Sequence, residues 1–423
     1  MVYTSYQKIS QKIAFICATT YAFFIIFGPA LTNLFLFLTF LFILLSGNIK
    51  QHIINVWNNK VAKASIFLFF LLLVGTIWSI AETNDAFRVL KKYLPLLYIA
   101  LLMPLFDTQN KQNIGINVFL LSTSIVLFII YLMHFKLIPE FDVPIPGRHR
   151  PLNVTIDGGF QTHIITNILM AFAAFIFLIR CRTRSGIISL LNVSLFVITS
   201  YYVLLISHGT SGQILLLTLI FVFVIQTLSK KWIIIFSTLS LLALSVGLNN
   251  LHTLKTIHPN VQKTIDKLIY KHEQLYESST PKNVNQRPQR YLNSIKMITS
   301  DPWLGSGTGS YYAAYKSKLP EIEKITTGTK WNPHNEYLSI GVQLGVVGII
   351  FLLFIFYTQL KEANKKEDLE IKLISQGFIA LMVIGCIANS MIMDSGESHF
   401  FAYFSALLFY HSNIDFDNNE NSI

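Results

Sequence analysis

Charge is scarce in this chain. Of 423 residues, 13% are Asp, Glu, Lys or Arg and 52% are hydrophobic, where a soluble domain would carry roughly 25% charged residues. That shortage excludes an ordinary soluble enzyme. Cysteine is equally sparse: Cys17, Cys181 and Cys386 lie in or at the ends of apolar runs without paired spacing, which excludes a disulfide framework. No His, Cys and carboxylate set has the spacing of a metal site, so neither a metal nor a cofactor is expected. Alternating ten-residue segments, the mark of a membrane barrel, are missing. So are internal repeats and the inverted pairs of broken helices typical of transporters.

What is present is apolar sequence blocked into runs near the length that crosses a bilayer core. The pattern predicts an all-α polytopic membrane protein of about twelve transmembrane helices, with spans near 13–29, 31–46, 64–82, 94–107, 116–134, 161–180, 186–206, 211–228, 232–249, 337–359, 373–393 and 397–412. The first run lacks a small-residue cleavage site after it and reads as a retained span. The expected organisation is helices one to nine over 1–249, a large helical loop over 250–336, helices ten to twelve over 337–412, and a polar tail over 413–423.

The net charge of +11 fits basic loops on the cytoplasmic side and sites for anionic lipid better than nucleic acid, which is not expected as a partner. Lys50, Lys60 and Lys63, the group Arg180, Arg182 and Arg184, Lys230 with Lys231, and the stretch from Lys361 to Lys372 fall on one side when the spans are counted. With an even number of spans both termini share that side, which is therefore cytoplasmic. The loops at 83–93, 135–160 and 250–336 then face outward, toward the periplasm of a bacterium. Two short outer loops carry cations against the sorting rule: Arg88, Lys91 and Lys92 in one, Arg148 and Arg150 in the other. Lys91, Lys92, Arg148 and Arg150 are therefore candidate phosphate ligands, with snorkelling or solvated charge as the alternative.

The long loop holds the residues that can do chemistry. Pro259–Glu277, Gln289–Thr299 and Tyr311–Ile325 read as helices, the first amphipathic. Arg287 and Arg290 are three residues apart, neighbours on one helix face. A guanidinium fork suits a diphosphate better than an ammonium does, and Pro288 at the first helical position would leave Arg287 at the cap. The run Gly305-Ser306-Gly307-Thr308-Gly309 lacks the Lys-Ser/Thr of a nucleotide loop and reads as a tight turn between loop helices. Asn332-Pro333-His334-Asn335 reads as the start of the tenth span, Asn332 at the cap and His334 in the first turn. The positive end of the helix dipole favours the neutral imidazole that a general base requires; a plain helix start with a polar interface residue is the alternative. Gly341, Gly345 and Gly348 would leave one face of that helix bare for a close neighbour. Ser207 to Gln213 breaks the seventh and eighth spans, and Thr162 and His163 open the sixth on the same side; both could line a headgroup cavity or simply cap helices.

This combination resembles the O-antigen ligase and polymerase superfamily of bacterial inner-membrane glycosyltransferases. The resemblance lies in the layout and, most sharply, in residues 285–350: Arg287, Tyr291, Asp301-Pro302-Trp303-Leu304-Gly305-Ser306-Gly307-Thr308-Gly309, then His334-Asn335 with Gly345 and Gly348. It implies a metal-independent, inverting transfer from a glycan on undecaprenyl diphosphate to a hydroxyl of the lipid A–core in lipopolysaccharide synthesis. By that likeness His334 would activate the hydroxyl and Arg287 would hold the diphosphate, with Arg290 and Asn335 among the substrate-binding residues. Many relatives carry an Arg where this chain has Gly209-Thr210-Ser211-Gly212, so one diphosphate contact would come from elsewhere. Ile349 stands where some ligases have Thr. A polymerase or a protein O-oligosaccharyltransferase would use the same donor. A lipid-linked glycan transporter should carry ionisable residues near mid-membrane, and these spans are almost free of them.

Overall fold

The computed structural model describes residues 5–143, 152–153, 158–207, 209–227, 286–318 and 332–410, with backbone alone at 142–143, 152–153 and 286–289. Its regular secondary structure in these residues is helical apart from one two-residue antiparallel ladder, Asp142–Val143 with Leu152–Asn153. The helices are α1 (Ser5–Phe24), α2 (Pro29–Leu45), α3 (Ile49–Asn58), α4 (Lys60–Val74), α5 (Thr83–Lys92), α6 (Pro95–Leu102) and α7 (Gln109–His134). There follow α8 (His163–Thr183), α9 (Gly186–Tyr201), α10 (Thr210–Thr227), α11 (Gln286–Ser300), α12 (Tyr311–Lys318), α13 (Glu336–Asn364), α14 (Leu369–Ala388) and α15 (Ser395–Phe409).

Among the described residues, seven helical stretches are long and apolar enough to cross a membrane: 83–106, 109–134, 163–183, 186–206, 210–227, 336–364 and 369–388. The bent pair α2–α3, turned by 113°, is an eighth candidate. The helices α1, α4 and α15 stand where spans are expected, but α4 and α15 have 15 residues each, about 22 Å of helix. The expected span 232–249 and the amphipathic helix expected at 259–277 lie outside the described residues.

Helix α15 shows why a short apolar segment can sit at the centre. From Glu397 to Phe409 every residue is buried. Phe404 meets Phe119 and Phe172 edge-on at 4.9 and 4.8 Å between ring centroids, and Phe400 and Phe378 complete the cluster. Edge-to-face aromatic packing contributes beyond area burial. Because protein rather than lipid surrounds α15, the bilayer thickness does not set its length. By contrast α9 exposes Ile187, Ile188, Leu190 and Leu191, as a lipid-facing helix should.

Side-chain caps fix the helix starts: Asn59 accepts from Val61 and Ala62 N–H, and Asp368 from Ile371 N–H at 2.7 Å. Among the described residues, helix ends that carry basic segments meet other helix ends. Glu370 at the start of α14 is held by both Arg180 and Arg184, each at 2.9 Å. Lys366 donates to the Tyr410 carbonyl, and Asn59 to that of Phe409.

Segment 83–93 is a helix rather than a loop. Asp85 and Arg88 pair along one turn and Ala86 and Leu90 are buried, an amphipathic pattern that outweighs the charges. Pro95 cannot donate to the preceding turn, so α5 breaks there before α6 continues the same stretch.

Candidate functional site

Helix α13 is interrupted near its start, and the Gly-rich turn occupies the interruption. Gly345, with φ 61° and ψ −157°, is non-helical inside α13. The backbone groups freed there find partners in the segment between α11 and α12: Ser306 N–H donates to Val342 O, Gly307 N–H to Gln343 O, and Val346 N–H to Pro302 O, at 2.7–2.9 Å. Non-helical backbone at membrane depth is tolerated when protein satisfies it. A Cβ on Gly345 would stand 2.3 Å from Trp303 O, and one on Gly307 would stand 2.1 Å from Ser79 Cα. The expected turn is therefore also a docking element, tied to the α4–α5 connection by Ser79 Oγ to Thr308 O and by Thr308 N–H to Gly75 O. Of the three spaced glycines, Gly341 does face a neighbour, Ile298 of α11. Gly345 makes the kink, and Gly348 meets only side chains of its own helix.

His334 sits just before α13 rather than in its first turn. The helix begins at Glu336 and Asn335 is the cap, its Oδ1 accepting Leu338 N–H at 3.0 Å while its Nδ2 donates to Ile387 O. His334 adopts the left-handed φ of 56°, a conformation seldom seen outside glycine that concentrates at functional sites. Asn332 stabilises it: its Oδ1 accepts His334 N–H and the Ser390 hydroxyl, both at 2.7 Å. A half-buried imidazole thus stands at the positive end of α13 on a backbone pinned from two directions.

Helix α11 reaches this point through Tyr291. Tyr291 donates its hydroxyl to His334 O at 3.3 Å and to Ile387 O at 2.8 Å. Arg287 lies one turn earlier on the same helix, backbone only being described there. Because α11 is already helical at Gln286, Pro288 is not at its first position. Arg290 is buried beside Tyr311, within reach of its charge, and its carbonyl accepts from Ser294. Burial raises the Tyr311 hydroxyl to about 12, against the pull of Ser294 and Arg290. Arg148 and Arg150 lie outside the described residues, as does His208.

Lys91 and Lys92 end α5 as exposed residues. Lys92 faces Asp394, which burial raises to about 6 against the attraction of that ammonium. The next residue, Tyr93, reaches the site itself. Its hydroxyl donates to Glu336 Oε1 at 2.9 Å, while Glu336 Oε2 accepts Ile392 and Met393 N–H at 2.9 and 3.3 Å. Glu336 is fully buried. It binds the start of α13, the end of α5 and the 389–394 turn into one frame. Sequence reasoning passed over Glu336 and Tyr93, because a carboxylate in a first helical turn reads as a dipole partner in solvent. Among the described residues, no group of three or more His, Cys, Asp or Glu is placed to hold a metal ion.

Fold and site together define a helical protein with several membrane-length apolar helices, in which the His334 backbone, the buried Glu336 carboxylate and the helix that carries Arg287 are tied together by hydrogen bonds. Residues 195–353, under half of the chain, match the family model of the O-antigen ligase domain, and that stretch carries Arg287, Tyr291, His334 and Glu336. Two proteins provisionally named polysaccharide ligases, from Rickettsia conorii and Rickettsia felis, are each 33% identical over 102 and 101 residues. Each alignment covers 22% of this chain and 24% of the relative, so the chain spans about a quarter of the length of those proteins.

Proposed function

We propose that this protein is an O-antigen ligase of the bacterial inner membrane, transferring a glycan from undecaprenyl diphosphate to a hydroxyl of the lipid A–core at its periplasmic face. In this reading His334 takes the proton of the acceptor hydroxyl as its oxygen bonds to the anomeric carbon. The bond from that carbon to the carrier phosphate breaks, and the electron pair leaves with the diphosphate. Arg287 neutralises the leaving group, and attack opposite the departing oxygen inverts the anomeric centre. A positioned base of this kind contributes roughly 100- to 10,000-fold in rate. Lys92, Lys91 and Asn335 would border the phosphates, with Arg148 and Arg150 on the neighbouring loop; Arg290, being buried, would act by holding α11.

The observation that carries the proposal is the bond from Tyr291 to the His334 carbonyl, which ties the arginine-bearing helix to the backbone of the residue that carries the imidazole. The test is lipopolysaccharide banding in a deletion strain complemented with His334→Ala or Arg287→Lys. Loss of polymer from the core, with carrier-linked polymer accumulating and protein levels unchanged, supports the ligase. A core bearing a single repeat unit indicates the polymerase instead, and normal lipopolysaccharide in His334→Ala ends the role of that base.

A further inference from the structure

The opposite face of the bundle holds a second polar site. Helix α13 carries His334 before its first residue and Lys365 just past its last, and Gln109 beside Asp107 binds the Asp368 carboxylate there. Between α1, the α2–α3 turn and the start of α7 lies a cavity of about 240 Å³, lined among others by Gln11, Phe15, Asn48, His52, Asp107 and Lys111. That is far more room than one bridging water needs. Of the polar groups in the lining, the His52 ring bonds to the backbone of Ala100 and Leu101, whereas Asn48 Nδ2 is buried without a hydrogen-bond partner, a costly state unless something fills it.

The surroundings specify the occupant. Lys111 and Asp107 pair at 2.8 Å with both side chains partly exposed, so the wall offers adjacent charges of opposite sign. The cavity also borders lipid. Helix α3 turns 113° from α2, and Leu44, Leu45, Ile49, Ile53 and Trp57 are exposed around that bend, the apolar face of a helix lying in a membrane interface. A ligand with a phosphate beside an ammonium, and with hydrocarbon continuing outward, meets each of these features.

We propose that this cavity binds the headgroup of a membrane phospholipid of the phosphoethanolamine type. The phosphate accepts from the Asn48 amide and from Lys111. The ammonium lies toward Asp107, and the acyl chains run along α2 and α3. The site lies across the membrane from His334 and stands independently of the transfer reaction.

The experiment uses the full chain purified in mild detergent, with native mass spectrometry for retained lipid and thermal melting with added lipid. Wild-type protein is expected to keep one phospholipid and to melt higher when phosphatidylethanolamine is added. Asn48→Leu and Lys111→Met should each weaken retention roughly tenfold, the loss of one charge-assisted contact, while Lys111→Arg retains it. Each variant is melted without lipid first. If Asn48→Leu does not fold, the partly exposed Lys111 decides the outcome. Equal retention in wild type and Lys111→Met overturns the site. An equal rise with phosphatidylcholine overturns the ammonium contact, and an equal rise with inorganic phosphate alone shows a free-anion site and overturns the lipid.

Discussion

Tyr93 and Glu336, far apart in the chain, meet through a 2.9 Å hydrogen bond that joins the end of α5 to the first residue of α13. The same carboxylate receives two amides of the 389–394 turn, so three segments share one acceptor two residues beyond His334.

Removing that acceptor should be costly. Glu336→Ala leaves a buried hydroxyl and two amides unsatisfied, a loss on the order of 3 kcal/mol, whereas Glu336→Gln keeps one acceptor oxygen and should lose less. Thermal unfolding of the purified proteins ranks them; equal melting of alanine variant and wild type would show that the carboxylate binds nothing of consequence.

Tyr291→Phe keeps the ring but deletes the bonds to His334 O and Ile387 O. Loss of about 1–1.5 kcal/mol of positioning corresponds to roughly a tenfold fall in transfer rate. The melting temperature should change little, since the hydroxyl is partly exposed. An in vitro transfer assay beside a melt separates the two effects.

Gly345→Ala and Gly186→Ala form a matched pair. Both glycines have φ near +60°, at 61° and 64°, but a Cβ at 345 would collide with Trp303 O while one at 186 has nothing within 4 Å. Alanine at 186 should cost only about 1–2 kcal/mol of backbone strain. At 345 it must also expel the docked turn, and a loss above roughly 3 kcal/mol is expected. Similar melting temperatures for the two would mean that the turn is not wedged into the kink.

Asp394 gives the pH dependence. An acid whose folded value is raised to about 6 holds its proton more tightly in the fold than in the unfolded chain, where the value is about 3.9. The stability linked to that proton is fully present below the unfolded value and is lost as pH rises through about 6. Relative to Asp394→Asn, the melting temperature of wild type should therefore fall between about pH 4 and pH 7 and then level off. Lys92→Met, which removes the opposing cation, should move the midpoint upward. A flat difference across this range would show that Asp394 titrates alike in both states.

Much of the bundle was legible because hydrophobic run length is a local quantity. The helices α7, α8, α9, α10, α13 and α14 fall close to the expected spans. The loop helix expected from Gln289 is also there, already helical at Gln286. Helix α5 escaped because its cations mimic a loop, while its buried stripe of Ala86 and Leu90 repeats over too few turns to stand out. The start of α13 was misplaced by the competing signals of Asn332 and Asn335, both good caps; only the carbonyl and hydroxyl partners around them decided between the two.

The sequence alone determined that this chain partitions into lipid, where its polar insert lies, and which imidazole and arginines that insert offers, because composition and run length act residue by residue. The tertiary structure alone decided that the Gly-rich turn fills a broken helix, that His334 takes a left-handed backbone with Tyr291 on its carbonyl, and that Tyr93 and the 389–394 turn meet on Glu336. Those outcomes depend on backbone groups finding acceptors on distant segments, and no local pattern encodes which distant segment will supply them.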